Sequence, residues 1–277
     1  MMDFEKFKNE AVRELKGRMD DGEKISIRRV VKNNGTVLTG VYIMRKGETA
    51  APIIYLEPMY ELVKQGAAFA CVMDEAVSLV KEKREAQELG EDSQRMFEEL
   101  WDYSKMKERL AYKLIQTKWN AELLASVPSI PYLDLSIVFE LCWEDPVGGC
   151  FNILVTNEMK RSWNVLNDEL KKQADINTPQ LRPACLYGMR GEEMREIAEE
   201  EPLLKKGPWM YILTNKQAVH GAAAILYEGE LKSMADRLGA DLFVLPSSIH
   251  ETILFPDTGC FKAGEINELI RDRKSVV

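Results

Sequence analysis

"KISIRRVVKNNGTVLTGVYIM", residues 24–44, decides how the chain is read. Two β-rich runs flank Asn34-Gly35, a pair that suits the left-handed conformations of a two-residue hairpin turn. With those two residues as the loop, Asn33 pairs with Thr36. Val31 then faces Leu38, Ile27 faces Tyr42 and Ile25 faces Met44. Arg29 falls on the same apolar face, opposite Gly40. A charge there must find a partner or reach out to water. Arg29 is therefore read first as a structural arginine and second as a ligand-binding one. Lys24, Arg28 and Lys32 share the other face, a short basic row that could touch RNA or another polyanion, although three charges in an acidic chain make a poor case for it.

The pattern extends outward on both sides. Phe4, Phe7, Val12, Leu15 and Met19 recur at helical spacing before the hairpin, and the Asp20-Asp21-Gly22 cluster ends that helix. "APIIYLEPMYELVKQG" (51–66) reads as a short strand and a short helix stopped by Gly66. A longer helix over 67–88 runs into "KEKREAQELGEDSQ" (81–94), the most polar stretch of the chain. The boundary is set there, giving an N-terminal region 1–90 and a C-terminal α+β domain 91–277.

The second region opens with a helix around Phe97, Leu100 and Trp101. "RLAYKLIQ" reads as a strand and "NAELLASVP" as a short helix. "YLDLSIVFELCW" (132–143) and "GCFNILVTN" (149–157) read as two strands of an antiparallel hairpin. Helices are expected over 158–175 and over the acidic stretch 190–201, and strands in "WMYILTN" (209–215) and "GAAAILY" (221–227). "GELKSMADRLG" (229–239) is an amphipathic helix with a glycine at its end. "DLFVLPSSIHETILFP" (241–256) reads as strand, turn, strand, and a last helix carries Ile266, Leu269 and Ile270. Strands and helices mix without strict βαβ alternation. The expected class is α+β, mostly antiparallel sheets with flanking helices.

The chain has 37 basic and 45 acidic side chains, a net charge of −8, which argues against nucleic-acid binding driven by overall charge. No run reaches about 18 apolar residues, so no membrane span is expected. "MMDFEKFKNE" lacks the basic-then-apolar order of a secretory signal. Cys71, Cys142, Cys150, Cys185 and Cys260 are spread without a C-x-x-C pair, as in a cytoplasmic protein with reduced thiols. No Walker loop and no G-x-G-x-x-G follows a strand, so no cofactor is expected.

Three blocks also resemble one family. "KNNGTVLTGVYI" followed by "APIIYLEPMYE", then "RLAYKLIQTKWNAELLASVPSIPYLDLSIVF", then "MYILTNKQAVHGAAAILYEGELKSMADRLGADLFVLPSSIHETILFP" are similar to a bacterial, clostridial family of unknown function. The resemblance covers nearly the whole chain. It implies a soluble bacterial protein and assigns no activity. One departure falls at Trp163-Asn164, where the family pattern has Trp-Gly. It bears on a local turn rather than on chemistry.

Chemistry-bearing residues are few. The two histidines are His220 and His250. Pro246, Ser247 and Ser248 shape a turn, after which His250 and Glu251 begin the return strand and point to opposite faces. "HETIL" lacks the second histidine of H-E-x-x-H, so no metal site is expected. A hydrolase reading takes Ser247 or Ser248 as nucleophile, His250 as base, Glu251 beside them and a distant Asp134 as orienting acid. No G-x-S-x-G elbow supports it. The alternative has His250 bonded within its turn and Glu251 paired with a base such as Arg182 or Lys262. Asp134 sits between Leu133 and Leu135 inside an apolar strand, where it is a catalytic or ion-binding carboxylate, a buried partner for an arginine, or a strand-start cap. Asn215, Lys216 and His220 either face a ligand or form a tight turn. Two function classes follow: a non-enzymatic binding or adaptor protein with a protein partner, and a hydrolase-like enzyme.

Overall fold

The computed structural model describes residues 2–19, 22–45, 53–88, 98–144, 150–190, 193–198, 210–257 and 259. These group into two compact units. The first draws on 1–106, 116–127 and 156–164, the second on 107–115, 128–155 and 165–277.

In the first unit, α1 (Phe4–Arg18) starts where the Asp3 carboxylate accepts the Lys6 N–H at 2.8 Å. Strands β1 (Lys24–Val31), β2 (Val37–Met44) and β3 (Ile53–Tyr55) form a sheet in that order. Helices α2 (Leu56–Lys64) and α3 (Phe69–Glu88) follow, and Gly66 between them takes φ +103°. Phe7 and Leu15 of α1, Val41 and Ile43 of β2, Leu56 of α2 and Met73 of α3 share one buried core. Each such side chain contributes about 1.5–3 kcal/mol by leaving water. Short helices α4 (Tyr103–Met106), α5 (Ala121–Leu124) and α6 (Asn157–Trp163) belong to the same unit.

The hairpin forms, but one residue out of the expected register. The loop is Asn33–Gly35, closed by the Lys32 N–H donating to the Thr36 carbonyl at 2.7 Å. Asn34 and Gly35 are both left-handed (φ 59° and 68°), and the Asn34 N–H donates to the Asn120 side chain at 2.7 Å. Ile25 therefore faces Ile43, Ile27 faces Val41, and Arg29 faces Thr39 rather than Gly40. A one-residue slip turns every β2 side chain over. It is Val41 and Ile43, not Tyr42 and Met44, that enter the core.

In the second unit, β4 (Leu110–Gln116), β6 (Leu135–Glu144) and β5 (Ser129–Tyr132) pair in that spatial order, and β7 (Cys150–Leu154) also pairs with β6. Helix α7 (Asn167–Leu181) leads to β8 (Ala184–Arg190), β9 (Glu193–Ile197) and β10 (Met210–Asn215). After α8 (Glu230–Leu238) come β11 (Leu242–Pro246) and β12 (Thr252–Pro256), and the second sheet runs β11-β12-β10-β8-β9. The three sheets are antiparallel with helices beside them, so the α+β class holds. Among the described residues no helix is long and apolar enough to cross a membrane.

Four local expectations are corrected. Leu133 and Asp134 are the exposed turn between β5 and β6, with Tyr132 paired to Leu135, so Asp134 lies outside the strand interior and is not buried. The stretch 158–175 is two helices, because Asn164 takes the left-handed cap of α6 (φ 54°, ψ 43°). Asparagine tolerates that conformation next best after glycine, which accounts for the Trp163-Asn164 departure. The acidic stretch near 193–197 is the edge strand β9, where charges such as Glu193 and Arg195 discourage further pairing. "GAAAIL" is a buried 3₁₀ segment (Gly221–Leu226) rather than a strand. Phe97 and the helix expected around Ile266 lie outside the described residues.

Candidate functional site

The two histidines of the chain meet. They are carried by segments thirty residues apart, the β10–3₁₀ loop and the β11–β12 turn. Asn215 builds the first: its amide donates to the Val219 carbonyl at 2.8 Å and accepts the Val219 N–H at 3.2 Å. That clamp holds Ala218 and His220 at φ 52° and 56°, conformations that cost a non-glycine residue about 1–2 kcal/mol. Gly221 then passes so close to the second segment that a Cβ there would stand 2.1 Å from Thr214 Oγ1 and 2.5 Å from the His250 carbonyl. Only glycine permits the approach.

Across this contact the His220 N–H donates to His250 Nδ1 at 3.2 Å, and the rings stack with centroids 5.6 Å apart. Thr214 Oγ1 donates to the His250 carbonyl at 2.7 Å, and the Ala222 N–H to the Ile249 carbonyl at 3.3 Å. The side chain of His250 is exposed while that of His220 is 13% exposed.

Beneath His220 lies an acid that reading the sequence missed. Glu140 sits in β6, 1% exposed, between Phe139 and Leu141. Its Oε1 accepts from Arg182 Nη1 and from His220 Nδ1, both at 2.6 Å, and Lys113 Nζ lies 3.3 Å from Oε2. Arg182 Nη2 goes on to Asn152 Oδ1 at 2.7 Å and Cys142 Sγ at 3.1 Å. Tyr227 Oη donates to the Arg182 carbonyl at 2.8 Å.

Burial pushes the Glu140 carboxyl up, but the His220 hydrogen bond and the charges of Lys113 and Arg182 together hold it down at about 2. Burial pushes the His220 imidazole down, and Lys113 and Arg182 add to that, so the hydrogen bond to Glu140 does not restore its ordinary value. His220 is therefore neutral near pH 7. Its Nδ1–H donates to the carboxylate, which leaves Nε2 as a lone-pair acceptor. An imidazole oriented this way accepts hydrogen bonds and protons.

The other sequence candidates do not gather here as a catalytic set. Ser247 Oγ donates to Glu251 Oε1 at 2.9 Å, and Ser248 Oγ accepts the His250 backbone N–H at 3.0 Å. Arg182 pairs with Glu140, not with Glu251. Asp134 stands on the exposed β5–β6 turn. Arg29 forms a two-pronged ion pair with Glu122, its Nη2 2.9 Å from Oε2. Asn215 spends its amide on its own loop. Glu140 carried the signal that was assigned to Asp134, a charge inside an apolar strand. Among the described residues no group of three or more histidine, cysteine, aspartate and glutamate side chains is placed to hold a metal ion.

Neither a curated protein nor a solved structure matches the chain. A family match does: residues 4–275 fit the Family of unknown function (DUF5688), so the chain belongs to that family.

Proposed function

We propose that the chain is a binding protein with a protein partner rather than a hydrolase. The observation that carries this reading is how the 247–251 turn uses its polar groups. The Ser247 hydroxyl is spent on Glu251, and His250 Nδ1 is spent on the His220 backbone. A serine hydrolase needs that hydroxyl on an imidazole nitrogen. The Glu140 cluster is in turn satisfied internally, as a network that fixes the His220 loop would be. Cys71, Cys142 and Cys185 stand outside any disulfide, which suits a cytoplasmic setting.

The test is turnover. Purified protein is offered p-nitrophenyl esters, a phosphate monoester and a peptide amide, beside the Ser247→Ala, His220→Ala and His250→Ala variants. The expected result is no hydrolysis above buffer from any of the four. Hydrolysis by the wild type that Ser247→Ala or His250→Ala abolishes would overturn the binding reading.

A further inference from the structure

Among the described residues the first unit leaves one long strand edge open. Its sheet runs β1-β2-β3, so the eight-residue β1 is paired on one side only. The Lys32–Thr36 hydrogen bond sets the phase of the ladder, because bonded and non-bonded pairs alternate in antiparallel strands. Lys24, Ser26, Arg28 and Val30 thus bond to β2. Ile25, Ile27, Arg29 and Val31 turn their N–H and C=O groups outward. Among the described residues none of those outward groups has a hydrogen-bond partner. Where the ladder on β2 outruns β3, by contrast, the Thr39 N–H is capped by both Glu57 oxygens at 2.8 Å.

The side chains along this edge have a sided chemistry. Lys24, Arg28 and Lys32 stand exposed on one face, Arg28 over the Tyr42 ring at 5.2 Å and Lys32 over the Tyr55 ring at 4.6 Å. The other face carries Ile25, which packs on the core, the half-buried Val31 and Ile27, 46% exposed, while Arg29 is occupied by Glu122. A second copy of β1 brings the same basic row rather than a complementary one. A two-fold register centred on Arg28 sets Lys24 against Lys32 and Arg28 against itself, and like charges face to face repel.

We infer that β1 accepts an extended acidic segment of a partner protein as an added strand, acids on the Lys24–Arg28–Lys32 side and apolar residues on the Ile27 side. Main-chain hydrogen bonds to the outward groups hold it, and side-chain alternation selects it. This rests on the binding reading above and names the chemistry of the partner.

The experiment titrates the full-length protein into a fluorescein-labelled peptide of eight residues with alternating Glu and Val, read by anisotropy. Binding that weakens with rising salt is expected. Arg28→Glu should weaken it about tenfold or more, by setting an acid against an acid. Ile27→Pro removes an outward N–H and no bond to β2, so it should abolish binding with the circular dichroism unchanged. The proposal is overturned if millimolar peptide does not bind, or if folded Ile27→Pro binds like the wild type. It is also overturned if an oligothymidylate binds more tightly than the peptide and loses that affinity in Arg28→Glu. Failure of the wild type to bind the peptide, without any hydrolysis, sinks the strand-addition proposal alone, whereas serine- or histidine-dependent hydrolysis sinks the binding reading itself.

Discussion

Replacing Glu140 by glutamine keeps the shape of the cluster and removes its one anion. Arg182, 3% exposed, and Lys113 then remain as cations with no counter-charge in contact among the described residues. The size of the effect follows in two ways. A carboxyl held at about 2 instead of 4.5 contributes about 3 kcal/mol of stability at neutral pH. Removing one member of a buried ion pair costs about 3–5 kcal/mol, because the other stays buried and unpaired. Both give a loss of about 3 kcal/mol for Glu140→Gln, read from urea unfolding by far-ultraviolet circular dichroism at pH 7. The sign with pH is fixed. A depressed carboxyl gives its full contribution above its unfolded value near 4.5 and loses it as pH falls toward 2. The wild type should therefore lose its advantage over Glu140→Gln across that window. Exchanging Glu140 and Arg182 together for leucine and methionine should recover much of the loss, since no buried charge from that pair is then left without its partner. A cost below about 1 kcal/mol at pH 7, or equal slopes with pH in wild type and variant, refutes the claim that the carboxylate organises the cluster.

Three further outcomes follow from the same contacts. His220 binds its proton less readily folded than unfolded, so stability should fall as pH drops through about 6.5, and His220→Gln should flatten that part of the curve. Gly221→Ala should cost about 3 kcal/mol or more, because the new methyl meets the His250 backbone carbonyl, which cannot swing aside; thermal unfolding checks the cost, and loss of the ring-current coupling between the two histidines in NMR checks the separation. Leu133→Gly should raise stability by about 1 kcal/mol, since Leu133 is left-handed (φ 54°) and 89% exposed, with little packing to lose. Equal or lower denaturation midpoints for that variant would show that the turn is unstrained.

The sequence made most elements legible because their cues are local. Gly66 stops α2, Gly239 closes α8, and Ser247-Ser248 marks the turn between the apolar runs of β11 and β12. Several of the features that failed are fixed by a distant contact. Asn34-Gly35 reads as a two-residue turn until Asn120, 86 residues away, takes the Asn34 N–H and the loop becomes Asn33–Gly35. The meeting of His220 with His250 depends on the missing side chain of Gly221, and nothing local says which backbone that glycine will touch.

The acid is the sharper case. A charge inside an apolar strand points to a partner, and that rule was sound here but attached to the wrong residue. "YLDLSIVFELCW" offers two acids, Asp134 and Glu140. Which is buried depends on where the chain turns. Alternation cannot locate the turn, because Leu133 takes the left-handed conformation that glycine or asparagine normally announces. Once Tyr132 pairs with Leu135, Asp134 is at the tip and Glu140 is six residues along, where β6 is buried on both faces. A carboxylate there survives only with cations delivered from elsewhere. Lys113 comes from β4 and Arg182 from the end of α7, and nothing local in either segment points to Glu140. The candidate site is thus a property of the pairing of β4, β6 and β7 and the docking of the His220 loop. It becomes visible only when the strands are in register.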